Sequence, residues 1–336
     1  MENIFKNKII LVTGGCGSIG SQIVKQLLSY EPKSVRIFER SESAHFRLNQ
    51  EIKSDKIRNL VGDVCDAERV HYAMDGVDIV FHAAAMKHVP LCEYNPFEAV
   101  RTNILGTQNL IDAAQKHGVE RFISISTDKA VNPTSTMGAT KLLGEKIVAN
   151  AAISGGKKTK FCCVRFGNVL ASSGSVIPVF EKQIKDGNSV TITSKEMTRF
   201  FMGVDDAVKL VLKAAHLADR GEIFILKMNA LKIIELAEVI VEELAPRHGK
   251  DPKNIQYEII GLRPGEKLHE PLITGEEARY MTETDDMFIL HNPTLLQYGV
   301  SVPVREGTAG VHYNSKDMLH LTKAEIRQML LDKKIL

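Results

Sequence analysis

Lys8-Ile9-Ile10-Leu11-Val12-Thr13-Gly14-Gly15-Cys16-Gly17-Ser18-Ile19-Gly20 is the stretch on which the reading of the fold turns. Lys8–Val12 is a short apolar, β-branched run and reads as a buried strand. After it, Ile19, Ile23, Val24, Leu27 and Leu28 fall on one face of a helix. The glycines between them permit a tight turn, let the backbone approach a pyrophosphate and allow close helix–strand packing. The helix N-terminus adds amide donors. Gly14, Gly17, Ser18, Ile19 and Gly20 are therefore candidate dinucleotide contacts. A glycine-rich turn is common by itself; its place between strand and helix gives it meaning.

Outward from this turn the rhythm repeats. Ser34–Phe38, Arg58–Val61, Val77–Phe81, Arg121–Ser126 and Lys160–Arg165 read as further buried strands. Another apolar stripe runs through Ile104, Leu105, Leu110, Ile111 and Ala114. Strands separated by helical stretches of this length pair in parallel, because a crossover helix must return the chain. The expected fold is a doubly wound parallel α/β sheet, a Rossmann domain over residues 1–170. Residues 171–336 read as a smaller α+β lobe for substrate. In it Val190–Ile192, Ile223–Lys227 and Gln256–Ile260 are candidate strands, and Ile233–Leu244 and Leu321–Leu336 are candidate helices.

The composition fits such a chain. The 336 residues carry 43 Lys+Arg against 41 Asp+Glu, and a net charge of +2 gives no footprint for nucleic acid. A charged fraction of 25% beside 44% apolar residues excludes wholesale disorder. No apolar run approaches the ~20 residues that span a bilayer. A strand follows Met1-Glu2-Asn3-Ile4-Phe5-Lys6 where a signal peptide would place its apolar core, so a cytoplasmic location without membrane attachment is expected. Cys16, Cys65, Cys92, Cys162 and Cys163 show no Cys-x-x-Cys spacing and read as small core residues. His82 and His88 lack partners at metal-ligand spacing and read as structural, so no metal is expected.

In doubly wound sheets ligands sit outside the carboxyl ends of the strands. Strand two ends in Glu39-Arg40; a carboxylate there suits the ribose hydroxyls of NAD, whereas a guanidinium would attract the 2′-phosphate of NADP. Asp63, with Val64 after it, ends strand three where a carboxylate could accept the adenine amino group; the competing reading is a cap for the helix starting near Asp66. Strand five runs into Thr127-Asp128-Lys129, and Met137 and Lys141 share one face of the following helix. Adjacent residues of an extended strand face opposite ways, so Asp128 and Lys129 share a site only if the chain turns there.

Thr13–Gly20, Phe81-His82-Ala83-Ala84-Ala85, Thr102-Asn103-Ile104 and the spacing to Lys141 resemble the extended short-chain dehydrogenase/reductases. Five further segments are similar to the nucleotide-sugar 4,6-dehydratases that act on UDP-N-acetylglucosamine: Lys87-His88-Val89-Pro90, Thr127–Pro133, Arg165-Phe166-Gly167-Asn168-Val169, Met197-Thr198-Arg199-Phe200 and Arg263-Pro264-Gly265-Glu266-Lys267. The resemblance covers nearly the whole chain. Met137 departs from the usual tyrosine of the superfamily; a thioether has no proton to exchange, which shifts acid–base work to Thr127, Asp128 and Lys129.

The resemblance implies a tightly bound nicotinamide cofactor, NAD with NADP as alternative, contacted also by Ala83, Ala84, Ala85, Asn103 and, at the ribose, Lys141. It implies oxidation at C4, loss of water across C5 and C6, and hydride return to C6. Lys129 is then the C5 base, Asp128 the acid at C6 and first candidate for the C4 hydroxyl proton, and Thr127 the partner of the C4 oxygen. A basic lysine must be neutral, so a depressed pKa is expected for Lys129. The diphosphate of a UDP-sugar calls for cations, with Arg199 and Arg263 as candidates. Glu266 would meet the uridine ribose, Asn168 the junction of sugar and diphosphate, and Lys87 the hexose. The glycine loop and Met137 lean toward retention at C5. Inversion, a C4-epimerase, a reductase and a non-catalytic cofactor-binding regulator are the alternatives. Homo-oligomers are usual in the family.

Overall fold

The structure is a computed structural model that describes residues 2–154, 158–170, 175–305 and 313–336. Its strands are β1 (Ile9–Thr13), β2 (Ser34–Glu39), β3 (Ile57–Val61), β4 (Ile79–His82), β5 (Arg121–Ile125), β6 (Lys160–Arg165), β7 (Asn168–Val169) and β8 (Val190–Ile192). They continue with β9 (Thr198–Met202), β10 (Glu222–Leu226), β11 (Asn229–Lys232), β12 (Tyr257–Ile259), β13 (Pro271–Ile273), β14 (Met281–Glu283), β15 (Met287–Leu290) and β16 (Tyr313–Asn314). The helices are α1 (Ser18–Leu28), α2 (Glu42–Glu51), α3 (Ala67–Met74), α4 (Val89–Tyr94), α5 (Pro96–Val100) and α6 (Gly106–His117). After these come α7 (Thr136–Ser154), α8 (Val176–Asp186), α9 (Val204–Leu217), α10 (Ile233–Arg247) and α11 (Lys323–Asp332).

A nine-stranded sheet runs in the order β14-β15-β10-β6-β5-β4-β1-β2-β3. From β3 to β10 all neighbours are parallel, and β15 and β14 close one edge antiparallel. The expected doubly wound sheet is present, and its order reverses between β1 and β4. That is where the carboxyl ends of the strands open a crevice. β4 and β10 are buried throughout, as strands covered on both faces must be. β3 differs from its reading as a buried strand: it is the sheet edge, and Arg58 and Asn59 are exposed.

The sheet does not stop near residue 170. β10 joins β6 in parallel, with Glu222 opposite Cys162, so the segment Ile223–Lys227 belongs to the main sheet instead of a separate lobe. β14 and β15 extend it further. A second apolar cluster lies apart from the main one, built from Phe180 and Ile184 of α8, Leu236, Val239 and Ile240 of α10, and Ile326 and Leu330 of α11. The small sheets β11-β9-β7 and β12-β8 contribute to it, whereas β13-β16 packs on the main cluster through Leu272, Ile273 and Tyr313.

The glycine turn shows why no other residue serves. Gly14 has φ 63°, and a Cβ there would lie 2.7 Å from the Ala84 amide nitrogen. At Gly20 a Cβ would overlap the Gly14 carbonyl oxygen and come within 2.7 Å of the Gly15 Cα. Both obstacles are backbone, so they cannot rotate aside. Gly20→Ala is expected to lower cofactor affinity at least about tenfold and to destabilise the fold by about 1–3 kcal/mol, the usual cost of overpacking. Cofactor titration and thermal melting check this; an unchanged affinity would show that the turn does not hold the cofactor.

Candidate active site

The cofactor end is built around β1 and the start of α1. Gly17 is the N-cap of α1 and supplies no side-chain cap, and a helix N-terminus favours an anion. The cradle that a Cβ would fill and this uncapped N-terminus fit a dinucleotide. Glu39 ends β2 and accepts the Arg40 amide at 3.0 Å and the Ser41 amide at 3.3 Å through one carboxylate oxygen. Arg40 is exposed and leans toward Asp63, at 4.0 Å. Asp63 accepts the Cys65 amide at 2.9 Å, while the α3 cap is Asp66. The capping alternative for Asp63 is thereby removed, and Val64 is buried against this corner.

Ala83, Ala84 and Ala85 leave β4 beside the glycine turn, held by bonds from the Ala83 and Ala84 amides to Thr13. Asn103 is 3% exposed and its side chain is committed elsewhere. It accepts from the Met86 amide at 2.8 Å and donates to the Met86 carbonyl and to Thr140. It therefore fixes the loop after β4 and does not offer itself to a cofactor, a correction to its reading as a contact. His82 is structural: its ring nitrogens meet the Thr13 and Thr107 hydroxyls at 2.8 and 3.0 Å. Burial, aided by Lys141, pushes its pKa down to about 3. The imidazole is thus neutral when folded and protonates near 6.5 only when unfolded, so its stabilising share fades as pH falls below about 6.5. Its ring-proton NMR shift is expected to stay constant from about pH 5 to 8; a midpoint near 6.5 would contradict the burial argument.

At the end of β5 the chain turns, as a shared site requires. Asp128–Ala130 is a single 3₁₀ turn capped by Thr127. Asp128 is fully buried, and its Oδ1 accepts from the Thr127 hydroxyl at 2.8 Å and from Lys129 Nζ at 2.9 Å. Its Oδ2 is buried without a hydrogen-bond partner among the described residues. Lys129 is flanked on its other side by Glu270, at 3.6 Å. Burial lowers the lysine pKa, but the charges of Asp128 and Glu270 outweigh it and the net shift is upward. This overturns the expected depression: Lys129 rests as an ammonium.

Lys141 on α7 donates to the Ile125 carbonyl at 2.6 Å, and burial lowers its pKa. Met137, one turn earlier, is 3% exposed and packs with Cys92 and Ala99 against Met86 and Val89. It is a packing residue under the loop after β4, which corrects its place among the catalytic candidates.

The second half closes over this turn. The loop from Arg263 to Lys267 docks on residues 131–135 through Thr134 to the Gly265 carbonyl at 3.1 Å and Lys267 Nζ to the Val131 carbonyl at 2.6 Å. Arg263 is exposed, with its amide bound to Glu266. Asn168 donates to the Phe200 carbonyl at 3.2 Å, and the Lys87 amine has its pKa lowered by burial. Arg199 has a role in the loop that its reading as a phosphate ligand did not include. Its guanidinium donates to the carbonyls of Thr198, Leu268 and Lys267 at 2.8, 3.0 and 2.7 Å, and so staples that loop in place.

Five groups here escaped the reading from sequence. Glu270 and Lys267 face Lys129 across the site, 3.8 Å from each other. Arg165 is fully buried and bridges Glu145 of α7 to Glu277 at 2.7 and 2.8 Å. An arginine closing an otherwise apolar strand was the available signal, since a buried guanidinium demands carboxylates.

This sheet, its glycine turn at the reversal of strand order, and a lysine on the helix behind an acid–base turn define an extended short-chain dehydrogenase/reductase. The chain belongs to the polysaccharide biosynthesis protein family, whose profile matches residues 10–292. It is 54% identical over 98% of its length to an uncharacterized membrane protein of Methanocaldococcus jannaschii, covering 97% of that protein. It is 44% identical to the UDP-N-acetylglucosamine 4,6-dehydratase (inverting) of Campylobacter jejuni, over 85% of this chain and 84% of that one. A UDP-glucose 4-epimerase of Rickettsia rickettsii is 41% identical over 84% and 82% of the two chains.

Among solved structures, Pen from Bacillus thuringiensis superposes with a TM-score of 0.92 at 43% identity, covering 99% of both chains. DesIV, the dTDP-glucose 4,6-dehydratase of Streptomyces venezuelae solved with NAD and TYD, gives 0.70 at 25% identity over 81% and 90%. The chain is thus a nicotinamide-dependent enzyme of the nucleotide-sugar 4,6-dehydratase type. Among its described residues no helix is long and apolar enough to cross a membrane.

Proposed function

We propose that the enzyme dehydrates UDP-N-acetylglucosamine to a 4-keto-6-deoxy product for surface polysaccharide synthesis. The observation that carries this reading is the buried carboxylate of Asp128, gripped by Thr127 and Lys129 at the carboxyl end of β5. Neither an epimerase nor a reductase must expel the C6 hydroxyl, so neither needs an acid placed to protonate it. Bound NAD supplies the hydride acceptor at C4 and the donor at C6.

The chain's own residues move the protons. Asp128 takes the C4 hydroxyl proton and later delivers it to the departing C6 hydroxyl, which leaves as water. Lys129 takes the C5 proton and, as an ammonium whose hydrogens exchange with solvent, reprotonates C5. Thr127 orients the C4 oxygen, and Lys141 holds the nicotinamide ribose. Arg263 at the exposed loop is the cation for the diphosphate, with Glu266 at the uridine ribose, Asn168 between sugar and diphosphate, and Lys87 at the hexose. Glu39 favours NAD over NADP by repelling a 2′-phosphate.

A single amine that deprotonates and reprotonates C5 on one face retains configuration, and Met137 offers no second donor. Retention is the outcome we propose; the name of the Campylobacter relative carries the opposite one, and ring-proton couplings of the product distinguish them. The nucleotide sugar and the cofactor are cytoplasmic metabolites, which sets the reaction there. Leu91, Tyr94 and Phe97 stand exposed on α4 and α5, a surface suited to a second copy of the chain in a homo-oligomer.

The test is substrate deuterated at C4. The deuterium, carried as hydride, is expected in the C6 methyl of the product; its loss to solvent, or the absence of a methyl, would contradict the proposal.

A further inference from the structure

Glu270 is 2% exposed, and its Oε2 has no hydrogen-bond partner among the described residues. Three cations face it, each beyond hydrogen-bond reach: Lys129 of the catalytic turn at 3.6 Å and Arg199 of β9 at 3.9 Å from Oε1, and Lys267 of its own loop at 3.8 Å from Oε2. Its backbone is fixed by the bond from its amide to the Ser315 hydroxyl at 2.9 Å. A buried carboxylate surrounded by positive charge, with no cation in hydrogen-bond reach, has lone pairs open to a proton, and Oε1 is the oxygen that faces the Lys129 amine. The amine beside it is the one that must lose a proton before it can act.

We propose that Glu270 is the internal acceptor that takes the proton from the resting Lys129 ammonium and so creates the C5 base. This rests on the reaction read above. When the C4 hydroxyl proton passes to Asp128, one of the two carboxylates holding the ammonium is neutralised. The N–H bond of Lys129 then breaks toward Glu270, giving a neutral amine and a carboxylic acid. After C5 has been reprotonated from Lys129, Glu270 returns its proton to the amine and both groups are restored. Burial raises the Glu270 pKa, which favours the acceptance. Asp128, Lys129, Arg199 and Lys267 are the charged groups that set this balance. Glu270 acts through Lys129 and is a positioning residue in that sense.

Glu270→Gln removes the acceptor and keeps its volume; Glu270→Asp keeps the acceptor. At neutral pH the glutamine variant is expected to form product at least about tenfold more slowly, recovering as pH rises and solvent takes the lysine proton instead. The aspartate variant is expected to keep the wild-type pH profile. A uniform loss across pH, or one profile for both variants, overturns the proposal. The coupling is also read without substrate, by ¹⁵N NMR of lysine-labelled holoenzyme with Lys129→Arg to assign the signal. The Lys129 titration is expected to move to lower pH in Glu270→Gln, and an unmoved titration overturns the proposal whatever the substrate. If that shift is present while the wild-type enzyme forms no methyl product, the reading of the reaction falls instead.

Discussion

Asp128→Asn is expected to lower turnover by about 10²–10⁴-fold, the range a positioned acid–base group contributes. The substitution keeps the volume, and an amide oxygen can still accept from the Thr127 hydroxyl and Lys129 Nζ, so the turn at the end of β5 stays in place. What is lost is a group that can accept the C4 hydroxyl proton and deliver it at C6. Cofactor affinity is expected to be unchanged, because Asp128 is contributed by the turn after β5 and not by the glycine loop. Steady-state rates and cofactor titration together check this. A variant with turnover within threefold of wild type would remove Asp128 from the chemistry.

The largest effect on stability is expected at Arg165. Its guanidinium is fully buried, with Glu145 on two of its donors, Glu277 on two, and the Leu272 carbonyl at 2.9 Å. It ties β6 and α7 to the segment that carries Glu277. Arg165→Met leaves two carboxylates without their cation, and breaking a buried pair from one side costs about 3–5 kcal/mol. That is a large part of the ~5–15 kcal/mol that keeps a domain folded.

The pH dependence of this loss has a definite sign. Burial alone would raise the Glu277 pKa, but Arg165 overrides it and holds the group below its usual value of 4.5. The stability from this pairing is therefore present above the unfolded carboxylate pKa and lost as pH falls through the lower folded value. The gap in melting temperature between wild type and Arg165→Met should be widest near neutral pH and narrow below about pH 4.5. A gap that grows in acid would contradict the assignment.

How much of this was legible in the sequence depends on how local each cause is. The strands and the glycine turn were, because period and turn chemistry are written in neighbouring residues: Lys160–Arg165 appears with the bounds expected for it. β10 was misplaced, since its pairing to β6 is a choice of tertiary partner that its own residues do not encode. The turn after β5 was singled out through resemblance, and the structure has it at Asp128–Ala130, but the charge state of Lys129 was not legible. That state is set by Glu270, which arrives from far along the chain and raises the lysine pKa against burial. The structural role of Arg199 was hidden for the same reason, because the carbonyls it holds include those of Lys267 and Leu268. Asn103 was found at the right place with the wrong partner, holding Met86 and Thr140.

The central claim, that Asp128 and Lys129 carry an elimination across C5 and C6, is tested most directly by proton NMR of UDP-N-acetylglucosamine with the holoenzyme in D₂O, without added reductant. The account predicts a new C6 methyl signal with deuterium incorporated at C5. A changed C4 configuration without a methyl would contradict it and identify an epimerase; an unchanged spectrum with cofactor bound would exclude UDP-N-acetylglucosamine as the substrate.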